Sequence, residues 1–362
     1  MKIYFDNAAT TPPLLYSAEN FLANPSSPHT LGIATEQKLT VARESIAKIL
    51  SCNSSEIIFT SGGTESNNLA IIGFALANRR KDIRIVTQPW EHPSILEPLK
   101  FIQEHKLATV QISHSENWHL CESQLTMAAI SQVHHETGDI ADISAFAEKL
   151  KQNNPRNIIL ADGVQGFCKE EASLANIDMY TFSGHKCHGQ TGVGGLVVQN
   201  KTRLVPLMYG GGQENKLRPG TENTHGILHM ASAAAELFSY KKEHHTQVTE
   251  IKTKLLELTQ LSGVTVNALN NNVSPYILNM SFLGVKGEVL VHLLAEKGLY
   301  VSMGAACRSR KNTKTALETM GFTKDIANSA IRFSFSHLNT MEEAIAAKEI
   351  IIHCVTQLRQ ML

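Results

Sequence analysis

The stretch Glu56-Ile57-Ile58-Phe59-Thr60-Ser61-Gly62-Gly63-Thr64-Glu65-Ser66-Asn67 carries three signals in a row. The β-branched and aromatic run Glu56–Thr60 reads as a buried strand. Small residues follow at Ser61-Gly62-Gly63, the composition of a tight turn. From Glu65 to Asn78 the apolar residues recur at helical spacing. A strand, a glycine turn and a helix in that order predict an anion site, because the first N–H groups of a helix have no partner within it.

The same alternation continues on both sides. Arg84–Gln88, Ala108–Ile112 and Asn157–Ala161 read as further buried strands. Thr35–Leu50, Ser94–Glu104 and Ser144–Gln152 read as helices, the first with Leu39, Ala42, Ile46 and Ile49 on one face. This alternation predicts an α/β fold: a mostly parallel sheet covered by helices, with ligands at the carboxyl ends of the strands. From about Thr221 to Leu261 the spacing is helical without a strand signal. Beyond it, Tyr276–Phe282, Gly287–Lys297, Leu299–Met303, Ile331–Phe335 and a helix from Met341 predict a smaller α/β C-terminal domain. We expect a large domain over 12–250 and a small one from 1–11 and 251–362.

Composition narrows the function classes. Of 362 residues, 33 are Lys or Arg and 33 are Asp or Glu, so the basic surplus that non-specific nucleic-acid binding needs is missing. No apolar run approaches the ~18 residues of a membrane-spanning helix. Met1–Asn7 contains Asp6 and no apolar core, unlike a signal peptide. Six cysteines scattered at 52, 121, 168, 187, 307 and 354 form no disulfide framework. A reduced, cytoplasmic, globular protein is expected.

Three further motifs carry chemistry. In Ser183-Gly184-His185-Lys186-Cys187-His188-Gly189 a lysine sits among small and polar residues after a strand. Such an amine suits a Schiff base, which requires it to lose its proton readily; the alternative is a surface lysine. A metal reading of His185, Cys187 and His188 matches no zinc spacing, so no metal is expected. In Ala161-Asp162-Gly163-Val164-Gln165 an acid ends a strand, where it faces either a ligand or only a turn. In Ser302-Met303-Gly304-Ala305-Ala306-Cys307-Arg308-Ser309-Arg310-Lys311 a cysteine precedes three cations, which favour thiolate over thiol. The other five cysteines lie in less basic contexts and read as ordinary core or surface residues.

With Tyr4–Thr11, Asn24–Ser27 and His29, Glu91-His92, Gly210–Glu214, Arg218, Gly220-Thr221, Ile331–Ser334 and Asn339-Thr340, these motifs run through nearly the whole chain. In that order the chain resembles a NifS/IscS-type cysteine desulfurase, a pyridoxal 5'-phosphate (PLP) enzyme of fold type I. The resemblance implies that Lys186 binds PLP and moves the substrate Cα proton. It implies that Asp162 pairs with the pyridine nitrogen, that Gln165 bonds the phenolic oxygen, and that His92 stacks on the ring and shuttles protons as a catalytic residue. Gly63, Thr64, Ser183 and His185 would cradle the phosphate, and Thr221 would reach in from the second subunit of a homodimer. Arg332, helped by Asn7, would fix the carboxylate of L-cysteine. Cys307 would take the sulfur as a persulfide, leaving L-alanine, and pass it to a protein acceptor for iron–sulfur cluster assembly or tRNA thiolation.

The sequence also departs from the family. Val133-His134-His135-Glu136-Thr137-Gly138 stands where the family usually has V-N-N-E-x-G, so His135 replaces an Asn that bonds the phenolic oxygen. Imidazole can donate one hydrogen bond but ionises near neutral pH. Either His135 takes over the contact or it turns away and Gln165 serves alone. SGHK for SAHK, DGVQ for DAVQ and GAAC for GSAC exchange one small residue for another. The chain ends at Leu362, without the longer tail by which some relatives dock an iron–sulfur scaffold. Selenocysteine lyase activity, an aminotransferase of the same fold and a degenerate non-catalytic subunit are the competing expectations. Cys307 argues against the aminotransferase. Retention of Lys186, Asp162, His92, Cys307 and Arg332 argues against degeneracy.

Overall fold

A computed structural model describes residues 2–16, 21–199, 201–303 and 314–361. The chain forms two compact units, one of Pro12–Gln132 and Ala141–Ser239, the other of Met1–Thr11, Val133–Ile140 and Tyr240–Leu362. Strand β1 (Ile3–Tyr4) opens the chain in the smaller unit.

The larger unit follows as α1 (Thr30–Leu50), β2 (Ile57–Thr60), α2 (Gly63–Ala77), β3 (Ile83–Thr87), α3 (Pro93–Glu104), β4 (Thr109–Ile112), β5 (Leu125–Ser131), α4 (Ile143–Asn153), β6 (Ile158–Asp162), β7 (Met179–Ser183), β8 (Gly194–Val198) and α5 (Thr224–Ser239). Its strands make one seven-stranded sheet in the order β2-β8-β7-β6-β5-β3-β4. The pairs β7–β6, β6–β5, β5–β3 and β3–β4 are parallel, while β8 runs antiparallel to β7 and to β2. Thr60 and Ser183 both pair with Gly194, so β2 and β7 end at the same edge. Both faces are covered, which is why these strands read as continuous apolar runs. Along β5, Ala128 and Ile130 belong to the core under α1, α4 and α5, whereas Met127 and Ala129 belong to the core under α2 and α3.

The edge is tied down from below. Arg43 of α1 grips the Glu214 carboxylate in two bonds of 2.9 and 2.7 Å and donates to Ile57 O at 2.7 Å. Phe59 N donates to the same carboxylate at 2.8 Å. These bonds hold Glu214, Asn215 and Lys216 at φ of 46°, 56° and 63°, three successive left-handed residues without a glycine. Glu214→Ala would leave the Arg43 guanidinium with Ile57 O but no carboxylate, and would take this acceptor from the Phe59 amide. We expect a loss of about 3 kcal/mol, read as a lower urea midpoint.

The smaller unit contains α6 (Lys241–Leu256), β9 (Val264–Val266), β10 (Ile277–Phe282), α7 (Gly287–Glu296), β11 (Leu299–Tyr300), α8 (Ala316–Thr319), α9 (Lys324–Ser329), β12 (Ala330–Ser334) and α10 (Met341–Gln360). A three-stranded antiparallel sheet has the order β12-β10-β9, and β1 pairs in parallel with β11. The helical stretch expected from Thr221 to Leu261 is two helices broken at Tyr240, and their buried faces serve different cores. Ile227, Met230 and Ala234 of α5 pack with α1 residues, while Val248, Ile251 and Leu255 of α6 pack with α10 residues. The boundary expected at 250 therefore falls at Tyr240. The segment Val133–Ile140 also joins the smaller unit, because Asp139 accepts the main-chain N–H groups of Leu269 and Asn270 at 2.9 to 3.1 Å.

Candidate active site

Strand ends gather the expected residues of the larger unit on one sheet edge. Asp162 is the last residue of β6, 6 % exposed, and pairs in register with Ser131 and Thr181. Its Oδ2 accepts from Asn67 Nδ2 at 2.8 Å; its Oδ1 accepts from Val164 N at 3.0 Å and Thr181 Oγ1 at 3.3 Å. A buried carboxylate held by three donors is fixed in orientation and suits a cationic partner.

Next to it β7 ends at Ser183 and turns through a short 3₁₀ turn, Gly184–Lys186. Lys186 is half-buried, and its charge is felt by two imidazoles. Burial, then Lys186 and Lys169, bring His185 down to about 4, so it is neutral at pH 7. Burial also holds His92 below the usual imidazole range; Asp162 opposes that shift and Lys186 adds to it. Lys186, His92 and Asp162 therefore lie within electrostatic reach of one another. Burial raises Glu91 to about 7, with the Asp162 charge adding to the shift, although Ser131 donates to it from both N and Oγ.

The head of α2 is an uncapped helix N-terminus. Gly62, its N-cap, has φ of 150° and supplies no side-chain cap. A Cβ at Gly62 would lie 3.6 Å from Ser183 Oγ, which places that hydroxyl beside the helix N-terminus. A Cβ at Gly63 would collide with Val164 Cγ2 at 2.5 Å. The backbone is thereby kept open, with the exposed Thr64 at its rim and the buried Gln165 next to Val164. Glu65, in the first turn, is drawn away by Ser61 N at 2.7 Å and Arg218 Nε at 3.1 Å.

Other expected residues belong to the smaller unit. Arg332, buried in β12, donates from Nη1 to His135 O at 2.8 Å and from Nη2 to Asp6 Oδ1 at 2.9 Å. Its Nε is buried without a hydrogen-bond partner among the described residues, an orphan donor suited to a carboxylate. Asn7 behaves differently from expectation. Its NH₂ donates to Ser334 O at 3.0 Å, Asn339 Oδ1 at 3.3 Å and Tyr4 O at 3.3 Å, so in this arrangement it pins the N-terminal segment and presents no donor to a carboxylate. His135 is buried, its ring 4.7 Å from that of His134 and its Nε2 3.9 Å from Glu136 Oε1. Thr221, in the larger unit, is exposed, and Cys307 lies outside the described residues. Among the described residues no three His, Cys, Asp or Glu side chains could hold a metal, and His188 Nδ1 bonds Pro12 O at 2.6 Å.

Two contributors went unassigned in the sequence. Asn67 and Ser94 had no role there, yet both bond functional side chains. Their only signal was polarity at positions where α2 and the start of α3 must turn toward the sheet.

The aminotransferase class-V family matches residues 3–346. The chain belongs to that family. As a class-V aminotransferase-fold protein it is 35% identical over 363 residues to a NifS/IcsS protein homolog of Lactobacillus delbrueckii subsp. bulgaricus, covering 94% of each chain. It is 32% identical over 384 residues to the cysteine desulfurase IscS of Methanosarcina thermophila, covering 99% of this chain and 93% of that one. A solved NifS-like protein superposes with a TM-score of 0.86 at 28% identity, over 100% of this chain and 99% of its own. SspA, solved in complex with cysteine, gives 0.77 at 27%, over 92% and 99%. The class-V family is PLP-dependent, and the residues at the sheet edge fit that group: an uncapped helix N-terminus, a buried carboxylate and a half-buried lysine.

Proposed function

We propose that the chain is a cysteine desulfurase that converts L-cysteine to L-alanine and retains the sulfur on Cys307. Its support is the proximity of Lys186, His92 and Asp162 at one sheet edge, together with full-length relatives named for this activity. Lys186 Nζ would hold PLP covalently and Asp162 would face its ring nitrogen. Gln165 and His135 would serve its phenolic oxygen, while His92 would lie on the ring. The N–H groups of Gly63 and its neighbours would hold the phosphate with Thr64, Ser183 and His185. When bound, PLP supplies an electron sink for charge that develops at the substrate Cα.

This chain's own groups do the rest. Arg332 binds the substrate carboxylate through Nε and its remaining N–H groups, its charge balanced by Asp6. Lys186 Nζ takes the Cα proton. The Cys307 thiolate attacks the substrate sulfur, so an S–S bond forms as the C–S bond breaks; the carbon fragment gains protons and leaves as alanine. A thiol of a protein acceptor, an iron–sulfur scaffold or a tRNA-thiolation protein, would then attack the outer sulfur, so that the persulfide passes to the acceptor and Cys307 leaves as thiolate.

A homodimer suits the surface of α1 and its surroundings. Leu31, Ile33 and Val41 are exposed, and Leu22, Val41, Leu228 and Ala231 line an apolar groove. Thr221 would serve the second copy. The cytoplasm suits five described cysteines that are all free thiols. No helix among the described residues is long and apolar enough to cross a membrane.

The test is to incubate PLP-loaded protein with L-cysteine and a reductant and to quantify alanine and sulfide. Catalytic, equimolar release of both is expected. A loaded protein that yields neither would overturn the assignment.

A further inference from the structure

His92 precedes α3 as its N-cap, a position that Ser, Thr, Asp or Asn usually fills. The cap is made by the ring itself: Ser94 N donates to His92 Nδ1 at 3.1 Å. A backbone amide can only donate, so Nδ1 carries no proton in this arrangement. Ser94 Oγ lies 2.8 Å from the same nitrogen. That hydroxyl also accepts from Asn67 Nδ2 at 2.9 Å, which directs its own proton onto Nδ1.

The other hydrogen of the Asn67 amide goes to Asp162 Oδ2 at 2.8 Å. The carboxylate fixes which way the amide faces, because a flipped amide would turn its oxygen against an anion. Every link is therefore oriented, from Asp162 through Asn67 and Ser94 to the ring. The fold accepts a cost for this arrangement, since Asn67 Oδ1 is buried without a hydrogen-bond partner among the described residues. Asn67 and Ser94 are themselves buried, and Asn67 is fully so.

We propose that Asn67 and Ser94 are positioning residues that hold the neutral His92 ring as its Nε2–H tautomer and lock its plane to the Asp162 carboxylate. The consequence, which rests on the desulfurase reading, is that only Nε2 is left to carry a proton to or from the reacting centre. Asp162 and Lys186 are charges that act on this ring, and the relay ties the first of them to it by hydrogen bonds.

The tautomer can be read without turnover. In cofactor-free protein labelled with ¹⁵N-histidine, long-range ¹H–¹⁵N correlations report which ring nitrogen is protonated. The His92 signals are assigned by their loss in His92→Gln. We expect Nε2–H above the ring's titration in the wild-type protein. Ser94→Ala keeps the backbone cap but removes one donor to the neutral ring. The protonation constant of His92 should then rise about three- to tenfold. Ser94→Thr should restore it, and Asn67→Ala should shift it in the same direction as Ser94→Ala.

An Nδ1–H ring in the wild-type protein would overturn the relay and leave the desulfurase reading intact. So would a folded Ser94→Ala protein that titrates like wild type. Absence of alanine formation would overturn that reading and leave the relay intact. The wild-type tautomer needs only the His92→Gln spectrum for its assignment, so a Ser94 or Asn67 variant that fails to fold still leaves the question decided.

Discussion

Lys186→Ala should lower alanine formation by more than about 10⁴-fold, because general-base catalysis alone is worth ~10²–10⁴ and covalent attachment is lost with it. The substitution should be well tolerated by the fold. Lys186 is half-buried, and Cys187, which bonds Gly184 O at 3.3 Å, holds the turn independently of it. Borohydride reduction of the loaded wild-type protein should attach the cofactor to the peptide containing Lys186, and to no peptide of the variant. A second readout needs no cofactor. Lys186 adds to the downward shift of both His92 and His185, so removing its charge should let both imidazoles titrate higher. A variant that keeps more than a tenth of the activity would remove Lys186 from the chemistry.

Sequence and structure agree where local physics suffices. Glu56–Thr60 is bounded by turn formers and is observed as Ile57–Thr60; Asn157–Ala161 is observed as Ile158–Asp162. Three strands of the seven-stranded sheet were not singled out. Leu125–Ser131 and Met179–Ser183 dilute their apolar signal with Ala, Thr and Ser, and both end in residues that serve the site. Gly194–Val198 begins with two glycines that are required by crowding: a Cβ at Gly194 would lie 2.6 Å from Gly62 Cα, and one at Gly195 would lie 2.2 Å from Phe182 Cζ. The break at Tyr240 is invisible to periodicity, because good helix formers stand on both sides and only the destination of the buried face changes.

The site shows the same division. Lys186 and Asp162 stand out as chemically odd residues at strand ends, and their motifs are short. The relay does not, because Asn67 and Asp162 are separated by 95 positions and meet only once the sheet has formed. Asn7 shows the opposite case. Its motif carried a role with it, but the hydrogens of its amide are committed to Ser334, Asn339 and Tyr4. Residue type and order were legible, whereas the allocation of each donor was decided by tertiary contacts.

Cys307→Ala should abolish alanine formation from L-cysteine, a loss of at least about 10³-fold, while leaving most of any activity on L-selenocysteine. The substrate sulfur needs an acceptor, since thiolate is a poor leaving group from carbon and attack on sulfur gives the C–S electrons a way out. Selenide departs more readily and does not need that attack. The described cysteines are poor substitutes. Cys168, Cys187 and Cys354 are buried, burial pushes the Cys187 thiol up to about 12, and Cys52 stands at about 11. Cys121 is exposed, and a hydrogen bond with Ser123 lowers its thiol, so it is the rival that must be tested. Cys121→Ala should leave turnover of cysteine unchanged. Persulfide trapped on Cys121, or a Cys307→Ala protein that still releases alanine from cysteine at the wild-type rate, would move the nucleophile away from the segment between Met303 and Lys314. If both substrates fail together in Cys307→Ala, the residue is needed for more than receiving sulfur, and the distinction between the two leaving groups no longer explains its place in the chain.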